Sequence, residues 1–331
     1  MNNILELDDN LLKETYYNKH ILITGGTGTF GNKITEILLS KFNPKRVIIF
    51  SRDEFKQDNM RKKFNNHSKL RFFLGDIRDY ERLTFAFKEI DIIFHAAALK
   101  QVPALEYNPM EAIKTNIYGA ENVIKAAIEC NVPKVLAIST DKSVNPSNLY
   151  GATKMCLEKL FVSYNLSNTK FSVLRYGNVM GSRGSVIPLF KEQKKTGIIT
   201  ITDPKMTRFT MTIDQAINFS LNCGYLMIGG EIFISKIPSY SINQLKNIIA
   251  PECTTKIIGL RPGEKIYETL ISKDEVSNCI NVNNNYYVLI SNLHQILKIE
   301  YEKKYGNNYI KKEYNSHDNE LILDNLLLNQ I

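Results

Sequence analysis

The sequence lacks several features that would place it in a broad class of proteins. It contains no tryptophan, and its five cysteines form no C-x-x-C pair, so reduced thiols are expected rather than a closed disulfide framework. No stretch approaches the ~18–20 consecutive apolar residues of a membrane span. Residues 1–18 lack the basic and apolar regions of a signal peptide. We therefore expect a cytoplasmic protein without a membrane segment, and we predict no metal site.

Positive charge is present but is not concentrated. The formal net charge is +8 over 331 residues, yet no basic run is longer than Arg61–Lys63. Nucleic-acid binding requires basic residues clustered on one face, so the sequence does not favour a nucleic-acid partner. A mild positive excess near a cleft suits a substrate that carries a diphosphate.

Short apolar runs alternate with amphipathic segments through the first half of the chain. Strands are predicted at 20–24, 46–50, 70–74, 90–94, 134–138 and 171–175, and longer helices at 110–130 and 148–163. This alternation indicates βαβ units and a parallel sheet covered on both faces. After about Val179, glycine and proline separate shorter runs. The predicted fold is therefore α/β, a Rossmann-type doubly wound parallel sheet with a smaller mixed C-terminal substrate lobe.

A glycine-rich turn follows the first predicted strand. Gly25, Gly28 and Gly31 form a G-x-x-G-x-x-G pattern between a strand and a helix, the context that makes this motif specific. The first glycine permits a tight turn, the second lets the backbone approach a pyrophosphate, and the third lets the helix pack on the strand. The helix N-terminus then faces the phosphates with free N–H groups. The residues predicted to bind a dinucleotide here are Gly25, Thr27, Gly28, Thr29, Phe30 and Gly31.

The end of the second strand bears on the choice between NAD and NADP. Ser51 and Arg52 stand there, and both side chains can bond a ribose 2′-phosphate, Arg in bidentate fashion. Lys56 adds charge, whereas Asp53 is counter-evidence because it can face a ribose. We predict NADP, bound through these four residues.

The third and fourth strands contribute further cofactor residues. At the end of the third strand, Asp76 can bond the adenine amino group and the Ile77 N–H the ring; an N-cap role for Asp76 remains open. The small residues Ala96, Ala97 and Ala98 let the backbone lie close to the cofactor, and His95 before them is interpreted as structural. The predicted boundaries are 19–180 for the NADP-binding domain, with about 210–235 returning to it, 181–290 for the interleaved lobe and 291–331 for a tail.

The sharpest chemical feature is the pair Tyr150 and Lys154. A spacing of four places phenol and ammonium on one helix face, and a cation beside a phenol lowers its pKa. Tyr150 can then remove a hydroxyl proton while hydride leaves the same carbon. Ten residues earlier, Thr140, Asp141 and Lys142 end the fifth strand. Alcohol oxidation needs only a hydroxyl there, so the added acid and base suggest chemistry beyond hydride transfer.

The motifs taken together resemble those of the inverting UDP-N-acetylglucosamine 4,6-dehydratases, extended short-chain dehydrogenases/reductases that begin pseudaminic acid synthesis. The resemblance runs from about His20 to Ile271. Neighbouring families lack the Asp-Lys pair, have Asp-Glu there, or carry Met at the position of Tyr150. The motifs are residues 25–31, 51–54, 95–103, 106–109, 139–142, 148–154, 175–178, 181–186, 206–209, 230–233 and 261–264.

The resemblance implies a mechanism. Tyr150, helped by Lys154, takes the 4-OH proton as hydride passes from C4 to NADP. Lys142 removes the C5 proton, Asp141 protonates the departing 6-OH, and hydride returns to C6 while C5 is inverted. Lys142 must then be partly neutral, which requires a pKa well below its ordinary value; burial, Lys154 and the cofactor charge are the expected causes.

The resemblance also implies a UDP-sugar partner and a homo-oligomer, a dimer or hexamer. The residues that it implies for the substrate are Lys100, Asn178, Val186, Arg208, Arg261 and Glu264, and it places Lys100, Tyr176 and Asn178 also near the cofactor. Two alternatives stay open: a nucleotide-sugar 4-epimerase and a non-catalytic NADP-sensing protein.

Overall fold

The computed structural model describes residues 9–165, 168–181 and 186–323. Residues 182–185 of the motif at 181–186, and the chain ends 1–8 and 324–331, lie outside the described residues. The strands are β1 (His20–Thr24), β2 (Arg46–Ser51), β3 (Leu70–Leu74), β4 (Ile92–His95), β5 (Lys134–Thr140), β6 (Lys170–Tyr176), β7 (Asn178–Val179), β8 (Ile198–Ile201), β9 (Thr207–Met211), β10 (Glu231–Ser235), β11 (Ser239–Ser241), β12 (Thr254–Ile257), β13 (Thr269–Ile271), β14 (Cys279–Asn281), β15 (Tyr286–Ile290) and β16 (Tyr314–Asn315).

The helices alternate with these strands in the first half of the chain. They are α1 (Asp9–Tyr16), α2 (Thr29–Ile37), α3 (Glu54–Lys63), α4 (Tyr80–Ala86), α5 (Val102–Tyr107), α6 (Pro109–Ile113), α7 (Gly119–Glu129), α8 (Leu149–Ser163), α9 (Val186–Gln193), α10 (Ile213–Leu226), α11 (Ile242–Ile249) and α12 (Gln295–Tyr305). Two π-helical turns, Leu38–Phe42 and Lys114–Tyr118, continue α2 and join α6 to α7, and 3₁₀ turns cover Asp141–Ser143, Lys194–Thr196 and Lys273–Asn278.

Within the described residues, nine strands form the main sheet in the order β14-β15-β10-β6-β5-β4-β1-β2-β3. The run from β10 to β3 is parallel, whereas β15 and β14 add antiparallel strands at one edge. Helices α2 and α10 pack together in one layer, and α4, α7 and α8 in the other. The predicted α/β fold with a doubly wound parallel sheet is confirmed.

The apolar runs explain why these strands are central. β1 and β2 bury every residue after the first, as expected for parallel strands with helices on both faces. The helices begin at recognisable caps: the Asp53, Asp79 and Asn148 side chains accept backbone N–H groups at the starts of α3, α4 and α8. Each of these βα turns therefore has a defined start at the strand end and a defined end at the helix cap.

The second part of the chain forms smaller sheets, with the orders β11-β9-β7, β12-β8 and β13-β16. A separate apolar cluster around Phe190, Ile199 and Leu245 fills this lobe. β10 returns to the main sheet, within the range 210–235 predicted for it, while β14 and β15 also join that sheet although they lie within 181–290. The domain boundaries as a whole stay a prediction.

Among the described residues, no helix has both the length and the apolar character needed to cross a bilayer.

Candidate active site

A cleft of about 620 Å³ opens at the carboxyl ends of the central strands. Open α/β sheets bind ligands at this edge, where the strand order reverses, here between β1 and β4. Most of the predicted site residues line the cleft together: Gly25, Thr27, Gly28, Thr29, Phe30, Ser51, Arg52, Asp53, Lys56, Ile77, Ala96, Ala97, Ala98, Lys100, Thr140, Lys142, Tyr150, Lys154, Tyr176 and Asn178.

One end of the cleft is the turn 25–31, here called the phosphate cradle. Gly25 has a φ of +66°, a conformation that glycine adopts readily. A Cβ at Gly31 would lie 2.2 Å from the Gly26 carbonyl oxygen, so only glycine lets α2 pack this closely. α2 begins after Gly28 without a side-chain cap, which leaves its first N–H groups and partial positive charge for an anion. These features fit the pyrophosphate of a dinucleotide.

The residues after β2 and β3 form the next part of the cleft. Asp53 accepts the Lys56 N–H at 2.9 Å and pairs with the Lys56 ammonium at 2.6 Å. Its carboxylate is therefore committed to the start of α3. Asp76 pairs with Arg78 at 2.7 Å and with Arg52 at 3.4 Å. Although burial raises the pKa of Asp76, Arg78 and Arg52 hold it below its ordinary value.

The loop after β4 is held by buried polar groups. His95 bonds the Thr24 hydroxyl at 2.8 Å and stacks on Phe161, and burial lowers the pKa of His95 to about 3. A neutral ring in this position suits the predicted structural role. Asn116 bonds both the N–H and the carbonyl of Leu99 and donates to the Thr153 hydroxyl. This side chain fixes the loop that carries Lys100 against α8.

Tyr150 and Lys154 lie on α8 and both line the cleft. Burial lowers the pKa of Lys154 to about 8, although Glu158 opposes the shift. Burial raises the pKa of Tyr150 to about 12, although Lys142 and a hydrogen bond with Thr140 oppose it. Lys142 thus lowers the pKa of the phenol but offsets only part of the effect of burial, and the assistance of Lys154 stays a prediction.

The turn after β5 brings Asp141 and Lys142 together. The Lys142 ammonium lies 3.0 Å from Asp141 Oδ1, 3.3 Å from Glu268 Oε1 and 3.2 Å from Asn178 Oδ1. Burial lowers the pKa of Lys142, but Asp141 and Glu268 outweigh it, so the pKa lies above its ordinary value. The prediction of a low pKa for Lys142 is therefore wrong, because two carboxylates lie beside the ammonium.

A buried charge network supports this turn from behind. Glu158 accepts the hydroxyls of Ser139 at 2.5 Å and Ser143 at 2.7 Å, on either side of the Asp-Lys pair. Arg175 pairs with Glu158 at 2.6 Å and with Glu275 at 2.9 Å. The network joins β5, α8, β6 and the 3₁₀ turn at 273–278, so the position of the turn depends on both parts of the molecule.

Other predicted residues do not line the cleft: Gly31, Asp76, Asp141, Val186, Arg208, Arg261 and Glu264. Asp141 is buried behind Lys142, and Gly31 packs against Gly26. The Arg208 guanidinium donates to the carbonyls of Thr207 at 2.8 Å, Lys265 at 2.9 Å and Ile266 at 3.1 Å. The resemblance implies that Arg208 binds the substrate, whereas backbone carbonyls accept from most of its donors.

Arg261 and Glu264 lie in the segment that contacts the start of α8. The Gly263 carbonyl accepts from Ser147 at 2.8 Å and Asn148 at 2.9 Å, and the Arg261 N–H donates to Glu264 at 3.2 Å. Val186 begins α9 and packs against the apolar cluster of the lobe. The segment of Arg261 and Glu264 therefore lies next to the start of α8, and none of the three residues lines the cleft.

Glu268, which contacts Lys142, was missed in the sequence, as were Asn116 and several lining residues: Phe50, Gly75, Gln101, Val102, Thr115, Ile138, Gly177, Val179 and Ile213. Glu268 lies a few residues after the motif at 261–264, and this proximity is the signal that could have marked it as a site residue. Asn116 gave no signal, because an asparagine inside an apolar helix pattern has no fixed role.

Comparison with known proteins agrees with this geometry. The chain is 51% identical over 277 residues to the inverting UDP-N-acetylglucosamine 4,6-dehydratase of Campylobacter jejuni, covering 82% of each chain, which confirms the predicted resemblance. It is 45% identical to a UDP-glucose 4-epimerase of Rickettsia bellii over 82% of this chain and 83% of that one.

Two further matches extend over most of the chain. The X-ray structure of Pen from Bacillus thuringiensis superposes with a TM-score of 0.86 at 38% identity, covering 96% of this chain and 98% of that one. Residues 21–290 match the family described as polysaccharide biosynthesis protein. The chain therefore belongs to the family of polysaccharide biosynthesis proteins.

Proposed function

We propose that the chain is an NADP-dependent UDP-N-acetylglucosamine 4,6-dehydratase that inverts C5. The observation that carries this proposal is the Lys142 ammonium, which lies 3.0 Å from Asp141 beside the phenol of Tyr150. A cleft for hydride transfer alone needs Tyr150 and a hydroxyl. An acid and a base beside them supply what the loss of water additionally requires.

Tyr150 removes the proton of the sugar 4-OH. Its pKa near 12 makes the neutral phenol dominant, so a nearby cation must stabilise the phenolate before it takes the substrate proton. Lys142 does so from the turn, and Lys154 from the next turn of α8. A bound NADP supplies the hydride acceptor at C4 and the hydride donor at C6, and so returns to its starting state in each turnover.

Asp141 and Lys142 act as a proton-sharing pair. Moving one proton from the ammonium to the carboxylate, across 3.0 Å, leaves an amine beside a carboxylic acid. The amine takes the C5 proton, made acidic by the C4 ketone, and the acid protonates the departing 6-OH, so that water leaves. Solvent delivers a proton to the opposite face of C5, which completes the inversion, and Tyr150 releases to solvent the proton that it took from the 4-OH.

The sugar and its diphosphate occupy the end of the cleft beyond Tyr150 in this proposal. Lys100 lines the cleft, and burial together with Lys142 lowers its pKa. Asn178 shares its side-chain oxygen with Lys142. Arg208, Arg261, Glu264 and Val186 belong to the adjoining segments of the lobe and contribute the outer wall.

Product analysis tests the reaction. The purified enzyme with UDP-N-acetylglucosamine in D₂O is expected to yield a 4-keto-6-deoxy sugar with deuterium at C5 and inverted configuration, followed by NMR. A mixture of the two C4 epimers, from this substrate or from UDP-glucose, would establish the epimerase alternative instead. Absence of any turnover with bound cofactor would leave the NADP-sensing alternative.

The base assignment has its own test. Lys142→Ala is expected to lower dehydration by at least about 100-fold, because general acid–base groups contribute about 10²–10⁴-fold, while NADPH binding is retained. Lys62→Ala, at an exposed ion pair with Asp58, is the matched control and should behave as the unchanged enzyme. Undiminished turnover in Lys142→Ala would contradict the role.

The preference for NADP rests on the cleft residues after β2. Asp53 is committed to Lys56, whereas Arg52 is half-exposed at the cleft and has a long contact with Asp76. A charged hydrogen bond contributes about 1.5–3 kcal/mol, so Arg52→Ala should weaken NADPH binding by roughly tenfold or more and leave NADH binding unchanged. Equal affinities of the unchanged enzyme for both cofactors in fluorescence titrations would overturn this preference.

The setting of the enzyme completes the proposal. We propose a cytoplasmic homo-oligomer, a dimer or hexamer, whose product enters pseudaminic acid synthesis. All five cysteines are unpaired, which suits a reducing compartment. Light scattering on the purified protein measures the oligomeric state, and a monomer at micromolar concentration would contradict that part.

A further inference from the structure

Glu268 is a buried acid at the candidate site whose position the sequence did not suggest. Its side chain is 4% exposed, and its Oε1 lies 3.3 Å from the Lys142 ammonium and 3.9 Å from the Arg208 guanidinium. It therefore contacts Lys142 from the lobe, whereas Asp141 contacts it from within the turn.

The backbone holds Glu268 in place independently of this ion pair. Its N–H donates to the Ser316 hydroxyl at 3.0 Å, and its carbonyl accepts the Ser316 N–H at 2.8 Å. Two residues on, the Leu270 carbonyl accepts from Arg175 at 2.9 Å. The backbone beside Glu268 is thus held by bonds that do not depend on its contact with Lys142.

Each carboxylate beside Lys142 has one satisfied and one unsatisfied oxygen. Asp141 Oδ2 and Glu268 Oε2 are buried and have no hydrogen-bond partner among the described residues. A buried charged oxygen without a donor is costly. The Lys142 ammonium, at 3.0 Å from Asp141 and 3.3 Å from Glu268, offsets part of that cost for both carboxylates.

We propose that Glu268 is a positioning residue that holds the Lys142 ammonium against Asp141, so that its proton passes to Asp141 when the reaction needs the amine. The N–H bond of Lys142 breaks, an O–H bond forms on Asp141, and the amine electron pair becomes free for the C5 proton. This inference rests on the proposed dehydratase function and adds to it a residue of the lobe that sets the position of Lys142.

The charges around Lys142 support the assignment. The charged and titratable groups that interact with Lys142 are Asp141, Glu268, Arg208, Lys100, Lys265, Tyr150 and Tyr240. Burial and Arg208 lower the pKa of Lys142, and only the two carboxylates raise it among these effects. Replacing Glu268 by Gln keeps the shape and a carbonyl acceptor but removes one of those two charges.

Trace labelling of lysine amines with acetic anhydride tests the contact without relying on activity, because only the neutral amine reacts. Loss of one opposite charge shifts a pKa by about one unit or more, so at pH 9 the labelling of Lys142 in Glu268→Gln should rise at least about tenfold over the unchanged protein. Lys154, which is almost fully buried, should stay unlabelled. Glu252→Gln, at an exposed pair with Lys194, is the matched control.

The activity profile is measured on the same proteins. The acid limb of kcat/KM in Glu268→Gln should move to lower pH by about one unit or more, with kcat affected more than KM.

Unchanged labelling of Lys142 overturns the inference. An equal gain of labelling at Lys142 and Lys154 also overturns it, because that result indicates a general loosening of the structure. If Glu268→Gln does not fold, Glu268→Asp retracts the charge and should shift Lys142 labelling in the same direction. An unchanged protein that makes no 4-keto-6-deoxy product refutes the proposed reaction, whereas the labelling result still decides the Glu268 contact.

Discussion

Arg175 is the residue whose loss should damage the fold most clearly. A guanidinium has five N–H donors, and each makes a bond: to Glu158 at 3.1 and 2.6 Å, to Glu275 at 3.0 and 2.9 Å, and to the Leu270 carbonyl at 2.9 Å. Burial lowers the pKa of Arg175, but the two carboxylates outweigh this effect and raise it. The change Arg175→Met keeps most of the volume and removes all five bonds.

The expected cost follows from what remains. Glu158 is 2% exposed and Glu275 is 22% exposed, so Glu275 can regain water whereas Glu158 becomes a buried charge without its cation. Breaking a buried pair in this way costs about 3–5 kcal/mol. An unfolding entropy of about 2.1 cal/mol/K per residue gives roughly 0.7 kcal/mol/K for 331 residues, so Tm should fall by about 4–7 °C.

Differential scanning calorimetry measures this change, with Lys62→Met at an exposed ion pair as the control that should stay within about 0.5 kcal/mol. Adding Glu158→Gln to Arg175→Met removes the uncompensated charge and should recover part of the loss, which gives a positive coupling in a double-mutant cycle. The reasoning would be refuted if the Tm of Arg175→Met lay within about 1 °C of the Tm of the unchanged protein, a change as small as that of the control. It would also be refuted if the free-energy changes of the two single variants simply added in the double variant.

Two further predictions concern the cleft. Gly31→Ala would place a Cβ 2.2 Å from the Gly26 carbonyl oxygen and should cost about 1–3 kcal/mol of stability as well as NADPH binding. Gly28→Ala, whose Cβ would lie 3.2 Å from the Gly25 oxygen, should weaken NADPH binding and leave Tm nearly unchanged. Fluorescence titration measures the binding and thermal unfolding the stability, and equal Tm values for the two variants would contradict the packing argument. The pKa of Lys154 lies near 8 because the residue is buried, so its ammonium is present below that pH and lost above it. Because kcat/KM reports the free enzyme, it should fall above about pH 8. A level kcat/KM profile up to roughly pH 9.5 in intact protein would exclude a need for this charge.

The sequence predicts most of the residues that line the glycine-turn half of the cleft, because that half is local. The strand, the glycine turn and the helix start lie within β1 to α2, and each has a short pattern with one physical meaning. The predicted strands at 20–24 and 70–74 coincide with β1 and β3, and the others differ by one or two residues at their ends. A buried parallel strand is a short apolar run, and its turn must point to the carboxyl edge.

The substrate half depends on contacts that no short pattern encodes. Glu268 meets Lys142 from a distant part of the chain, and Arg208 spends its donors on backbone carbonyls. Backbone acceptors belong to every residue type, so sequence gives no reason to prefer them over a phosphate. The predicted helix 110–130 is likewise interrupted by a π-helical turn at Lys114–Tyr118, where Asn116 turns its side chain to the loop after β4; such turns are frequent at functional sites.

The electrostatics of the site explain why the Asp-Lys pair separates a dehydratase from an epimerase more sharply than the phenol does. Both reactions need a base for the 4-OH, and the proposed base, Tyr150, suits either. Loss of water also needs a base at C5, and a lysine is a base only when its proton has somewhere to go. In the proposed reaction Asp141, at 3.0 Å, accepts that proton, and Glu268, at 3.3 Å, holds the ammonium in place. A chain with Tyr150 and Lys154 but without the Asp-Lys pair would lack this base and would oxidise C4 without eliminating the 6-OH.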